Sequence, residues 1–394
     1  MLKKIKKMIS GRKRAFDIDG DGQITLHDFR AIFSGERHKE SGTIDFLRER
    51  TATVWKENEH HFTLLSIRIQ QRERQVRGTL SKLFFGEKDQ KLRKLVDTIL
   101  NNIQDPTLEK LQGEYSSISN KIRSVEGKIS ELDASSFMLN ASQDSKVARA
   151  RRKYYEELDK KISQKISIIE AFQHRFNKFE VKISEQQAEV LLSRIDAEDI
   201  SRITSVFAVA HAIAQQLAQA KQISGENLEV TKKYYGIYIG LLEIQEEAQT
   251  RYIDKIEKIY LPGVRKIKDE AVALRKSTSV ILDATDGKHR EAYQRNISSQ
   301  DITISVTDEY EKSLISNKDR IDSARQIVVN LRALAENTLS TVRVSSDLAT
   351  LISQAEAMFD QVVSLQAPEL APFENLALQR EFESVTEKLR AVEN

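Results

Sequence analysis

The residues best spaced for chemistry lie in one short run, FDIDGDGQITLHDF, at positions 16–29. Asp17, Asp19 and Asp21 place carboxylates at alternating positions, and Gly22 follows with the backbone freedom for a sharp turn. Gln23 offers its backbone carbonyl, Thr25 a hydroxyl that coordinates directly or through water, and Asp28 closes the set. A hard divalent cation takes six or more oxygen ligands, which a single loop can supply only by wrapping around it. Three carboxylates within five residues also repel one another unless a cation neutralises them. A different chemistry, with Asp17 as nucleophile and Asp19 as acid, requires a buried strand ahead of the pair. Gly11-Arg12-Lys13-Arg14 cannot supply one.

This pattern resembles the EF-hand, whose loop reads D-x-[DN]-x-[DN]-G-x₅-E. The resemblance covers residues 16–33 and includes the flanking Phe16 and Phe29. It implies calcium as the bound ion, with Asp17, Asp19, Asp21, Gln23, Thr25 and Asp28 as ligands and Ile24 as the residue that pairs with a second loop. Two features depart from the family. Asp28 stands where the pattern has Glu, one methylene shorter, which weakens bidentate closure and lets magnesium compete. Arg12 and Lys13 occupy entering-helix positions that are usually apolar. The exiting helix fits better, with Phe29, Ile32 and Phe33 on one face. The loop is closer to solitary bacterial hands than to paired sensors. A lone hand leaves Ile24 without its usual mate, which implies self-association or docking on a protein partner.

Nothing else in the chain points to catalysis. The sequence holds no phosphate-binding glycine loop, no Gly-x-Ser-x-Gly and no His-Glu-x-x-His, and so reads as a non-enzyme. His60 and His61 are adjacent and cannot share a helical face, while the other histidines are isolated. Cysteine is absent, which removes disulfides and thiolate sites and fits a reducing compartment. No apolar run nears the ~20 residues that span a bilayer, the nearest being YYGIYIGLLEI at 234–244. The basic start lacks the apolar stretch of a secretion signal. A cytoplasmic protein is expected.

Charge is unevenly placed. The first 16 residues carry seven Lys or Arg and no acid, so a formal net charge of +3 leaves the remainder at −4. A mildly acidic body argues against nucleic acid as a partner. The basic N-terminus, with Leu2, Ile5, Met8 and Ile9 on one side, suits peripheral contact with an anionic membrane. A second basic cluster, Lys146 with Arg149, Arg151, Arg152 and Lys153, reads as a solvated helix start.

The elements that carry these residues are helices. Charged residues are 31% of the 394, against 4 prolines and 14 glycines, so the chain has few places to turn and its elements must be long. The expected fold is all-α: an elongated helical bundle or coiled coil with an N-terminal EF-hand-like calcium loop. The loop segment spans 1–40. Long helices follow over 41–200, including an antiparallel coiled-coil hairpin of about 106–133 and 147–192, and a helical bundle with a long C-terminal helix fills 201–394. Asp105-Pro106 marks a helix start. Beyond it Leu108, Leu111, Tyr115, Ile118, Ile122, Val125, Ile129 and Leu132 alternate spacings of three and four, as do Tyr155, Leu158, Ile162, Ile169, Phe172 and Phe176. Lys165 is a polar interruption in the second run, and parallel pairing between two chains competes with the hairpin. Pro262-Gly263 is expected to end a helix, 283–303 reads as the most loop-like part, and a final helix is expected over about 306–365.

Three functional readings follow. The first is a calcium-binding coiled-coil interaction or scaffold protein, with the ion governing assembly. The second is a permanently metal-capped structural or filament component. The third is a membrane-acting helical protein, either peripheral or similar to helical pore-forming toxins. All but the membrane reading rest on the loop. Titration of the purified chain in a calorimeter is expected to give a saturable heat with Ca²⁺ and a weaker one with Mg²⁺; a flat trace with both would remove the ion from every reading.

Overall fold

The computed structural model describes residues 42–76, 90–136, 141–224, 228–284, 289–341, 346–366 and 376–393. In chain order the helices are α1 (Gly42–Val76), α2 (Gln90–Ile103), α3 (Pro106–Ser136), α4 (Ala141–Asn177), α5 (Glu185–Leu192) and α6 (Ala197–Ser224). They continue as α7 (Leu228–Lys255), a π-helical turn (Ile256–Tyr260), α8 (Leu261–Asp283), α9 (Arg290–Thr341), α10 (Ser346–Gln366) and α11 (Leu376–Glu393). Every described element is helical, so the fold is all-α.

Two antiparallel rods form the spine. One is α7, the π turn and α8; the other is α9, whose 52 residues make a rod of roughly 78 Å. Ion pairs Arg332–Glu246, Lys318–Glu257, Arg265–Glu311 and Arg275–Asp301 fix the register, each step down one rod matched by a step up the other. Pro262 does not end the helix, contrary to the sequence expectation. It has no N–H to give, and the π turn before it, in which the Leu261 N–H reaches the Ile256 carbonyl, lets the chain run on. The segment around 283–303 is likewise helical from Arg290 onward. The final long helix expected over 306–365 is the latter part of α9 and, from Ser346, α10.

The core is built around α7. Its 234–244 run, apolar on most faces, is buried throughout except at Glu243, and α1, α2, α6 and α9 pack around the helix. Lipid contact through this segment would require the central helix to leave the core. Gly236 and Gly240, four apart, face α1: a Cβ on Gly236 would lie 3.0 Å from the Ser66 Cα, and one on Gly240 2.8 Å from the Leu65 Cγ. The close approach lets the Ser66 hydroxyl donate to the Lys233 carbonyl at 2.8 Å. Position 200/201 lies inside α6, and α1 packs on both α6 and α7, so the core is continuous across that expected boundary.

Capping chemistry sets the remaining joints. Arg50 donates to the carbonyls of Asn102, Ile103 and Gln104 at the end of α2, satisfying groups that no helix turn can reach. Asp105 then accepts from the N–H groups of Thr107 and Leu108 and starts α3. α3 folds back on α4 as an antiparallel hairpin, with Asp133–Arg151 near the connection and Asp105–Arg175 at the other end. The expected arm 147–192 is in fact two helices. Glu180 adopts a left-handed backbone (φ 67°), Asn177 exchanges hydrogen bonds with Ile183, and Ser184 with Gln187 forms a capping box that begins α5.

Two glycine substitutions should shift stability in opposite directions. Gly240→Val, driven into Leu65, is expected to cost about 1–3 kcal/mol in chemical unfolding. Gly113→Ala, whose new Cβ meets nothing within 4 Å, is expected to add roughly 0.5–1 kcal/mol. A neutral Gly240→Val would show that the α1–α7 contact is looser than described.

Candidate functional site

The predicted ligands Asp17, Asp19, Asp21, Gln23, Thr25 and Asp28 lie outside the described residues. Among the described residues no group of three or more His, Cys, Asp or Glu is placed to hold a metal ion. His60 and His61 have ring centres 6.0 Å apart on α1. His211 stacks on Phe359 at 3.6 Å and shares a 2.9 Å hydrogen bond with Gln215, a packing role beside α10.

The surface that stands out is on the α3–α4 hairpin. Its inner seam buries Leu108, Tyr115, Ile118, Val125 and Ile129 against Ile169, Phe172 and Phe176. Tyr155, Ile162 and Ile166 remain 45%, 40% and 48% exposed. At 100° per residue those three fall within about 40° of one another, a stripe along one flank of α4. On another side a groove of about 530 Å³ runs between the two helices, lined by Ser117, Lys121, Lys160, Ser163, Gln164 and Ser167. Ile118 and Ile168 also line it, so the groove is of mixed polar and apolar character.

Lys165 has a structural task. Its ammonium donates to Glu383 of α11 at 2.9 Å, lies 3.3 Å from Glu189 of α5, and sits 4.9 Å above the Tyr115 ring. Tyr115 donates to the same Glu383 at 2.9 Å. Arg123 and Arg380 add pairs with Glu387 and Glu126. These contacts bind α11 to the hairpin by charge. Toward the spine α11 buries Phe382, Val385 and Leu389, with Phe382 stacked on Tyr310 at 4.2 Å.

Behind this strap lies a buried polar joint at the α5–α6 corner. Arg194 is 2% exposed and Asp196 is fully enclosed. Two parallel hydrogen bonds of 2.7 Å join them. Tyr252 of α7 donates to Asp196 at 2.7 Å, and Arg194 also donates to Ser313 of α9. The Ile195 N–H donates to the Tyr310 hydroxyl, Tyr310 bonds Thr386 of α11, and Thr386 donates to the Ser193 carbonyl. Burial pushes the Asp196 carboxyl up, but Arg194 and the donated hydrogen bonds outweigh it and hold the group below the usual carboxylate range. Asp199, one turn on, behaves oppositely: burial raises it despite Lys255 and the 2.6 Å bond from Tyr260. Burial likewise raises Tyr252, and raises Tyr310 to about 12. With every titrating group here engaged in holding helices, the joint is structural. No family model, no curated protein and no solved structure matches the chain.

Sequence reasoning read Lys165 only as a polar interruption, without its role, and passed over the Arg194–Asp196 pair. Each had a signal: a lysine at a core position of the heptad run, and two charges flanking Ile195 between Leu192 and Ala197.

Asp196→Asn leaves a buried guanidinium without its countercharge and is expected to cost about 3–5 kcal/mol at neutral pH. Because the folded-state pKa of Asp196 is depressed, its contribution is present above the ordinary carboxylate value of about 4 and is lost as pH falls through the folded value. The stability gap between parent and variant should therefore narrow in acid. Asp199, with a raised folded pKa, contributes in the opposite sense and loses its effect as pH rises. Unfolding curves across acid and neutral pH check both signs; a gap that widens in acid would contradict the assignment.

Proposed function

We propose that this chain is a non-enzymatic, calcium-binding interaction protein of the cytoplasm, whose helical hairpin engages a helix of a partner or of a second copy as a coiled coil. One observation carries the reading: α4 holds Tyr155, Ile162 and Ile166 at heptad-compatible spacing on a flank that no other described helix covers. An apolar stripe of that period suits another helix, since each side chain then enters a hole between four residues of the neighbour. The hairpin is held to the body through charged strap contacts at Lys165 and Arg123, which keep it at a set angle as a presenting arm.

The ion supplies the control. In this reading Asp17, Asp19, Asp21, Gln23, Thr25 and Asp28 bind calcium, with magnesium as competitor, and order the loop so that Phe29, Ile32 and Phe33 dock. Support for this comes from the spacing of the ligands in the sequence. A permanently occupied loop would instead make the ion a structural cap, distinguished by an affinity far tighter than cytosolic calcium swings.

Sedimentation velocity of the full chain with calcium and with chelator tests both parts. Association that rises with calcium, and that disappears in a Tyr155→Glu/Ile162→Glu/Ile166→Glu variant of unchanged helicity, is the expected result. A monomer of the same shape in all conditions would count against the proposal.

A further inference from the structure

We propose that the outer end of the α8–α9 hairpin is a membrane-contacting element that inserts into the interface of an anionic lipid bilayer. Beyond Ala271 on α8, and before Ile302 and Thr303 on α9, where Ile302 still packs on the core and Thr303 donates to Glu381 of α11 at 2.7 Å, the two helices leave the body. The described residues of 272–305 include no buried position, and the hydrogen bonds Gln300–Thr278 and Arg290–Leu282, with the ion pair Arg275–Asp301, tie the two helices to each other. From Val272 to Asp283 this spur is about 18 Å long. Apolar side chains nevertheless persist on it. Val280 is 65% exposed and Leu274 59%, the two most exposed large apolar residues among those described, with Val272 and Ile281 close behind at 46% and 45%.

Their arrangement selects the partner. Leu274 and Ile281, seven residues apart, share one flank of α8, whereas Val280 lies about 100° further round, on the side of Val272. One docking helix covers one flank, as on α4. Apolar groups on both flanks of a narrow tip are buried together only by a medium that surrounds it, and the acyl–headgroup boundary is such a medium. The charge agrees. Arg275, Lys276, Arg290 and Arg295 against Asp283, Glu291 and Asp301 give the described spur residues a net +1, while the chain beyond its first 16 residues sums to −4. A basic tip on an acidic body orients toward anionic headgroups. The surface is separate from the α4 stripe and stands whether or not that stripe binds a helix.

The test is flotation of the full chain with phosphatidylcholine vesicles, with and without phosphatidylserine. Binding to the anionic vesicles alone is expected, falling roughly tenfold in Val280→Asp/Ile281→Asp and by a similar factor in Lys276→Glu/Arg295→Glu. These positions are exposed, so circular dichroism should confirm an unchanged fold. Because the chain has no cysteine, Val280→Cys takes one polarity-sensitive label, whose emission should shift blue on anionic vesicles; a label at Ser163→Cys should not respond. Three results overturn the proposal. One is absence of flotation. Another is flotation that survives both spur variants but is lost when Lys3, Lys4, Lys6 and Lys7 become Glu. The third is a blue shift without vesicles that grows with protein concentration, which assigns the spur to a second copy of the chain.

Discussion

Burying Arg194 and Asp196 removes two charges from water at a cost of several kcal/mol for each, and the loss is recovered only if nearly every donor and acceptor finds a partner. Here the partners come from distant parts of the chain: Tyr252 on α7, Ser313 on α9, and through Tyr310 the Thr386 hydroxyl of α11. None of these helices can slide by a turn without leaving an ion or a carbonyl unpaired. The corner therefore acts as a register lock, converting a bundle that apolar packing alone could assemble in several registers into one arrangement. Apolar contacts supply most of the stability; the charged joint supplies uniqueness.

From that lock the strap and the hairpin inherit their positions. Thr386 faces the joint, and Glu383 and Glu387, about 60° and 100° from it round the same helix, meet Lys165 and Arg123 of the α3–α4 hairpin. The hairpin is thus fixed at its base, through Gln112 donating to Ala197 and Ser201, and along one side, through α11. Toward the Asp133–Arg151 end no comparable buried contact among the described residues anchors it, and the described residues become progressively more exposed. Helix α11 is attached by apolar packing toward the spine and mainly by charge toward the hairpin, so salt should loosen the second attachment before the first.

How much of this was written legibly in the sequence depends on whether a local signal agreed with its surroundings. The fold class was readable because scarcity of proline and glycine and sustained three–four spacing both demand long helices. The start of α3 was readable at Asp105-Pro106. The end of α4 was not, because Phe176, Phe179, Ile183 and Val190 continue the apolar period through a break made by Asn177 and the Ser184–Gln187 capping box, a polar signal masked by an apolar one. Pro262-Gly263 misled in the other direction: a proline ends a helix unless the preceding turn widens, and the π turn does so. Residues 290–300, poor helix formers among them, are helical because α8 lies alongside. The expected cation ligands, Asp17 to Asp28, are the most legible pattern in the sequence, yet they fall outside the described residues, so the proposed loop rests on spacing alone. The Arg194–Asp196 joint shows the converse, since its partners Tyr252 and Ser313 are 56 and 119 positions away and no window of sequence brings them together.

What the core leaves uncovered is as ordered as what it encloses. Single exposed residues such as Ile67, Leu334 and Met358 are ordinary on any helical surface. The α4 stripe and the α8 spur differ from them in being groups, and they differ from each other in angular spread. A stripe confined to about 40° matches the narrow face of a facing helix, whose own side chains must interdigitate with it at a fixed period. A tip with apolar groups a quarter-turn or more apart has no such complement, since a helix docked on one flank would leave the other wet. Under the two proposals the leftover apolar surface divides into a part suited to a periodic partner and a part suited to an isotropic one.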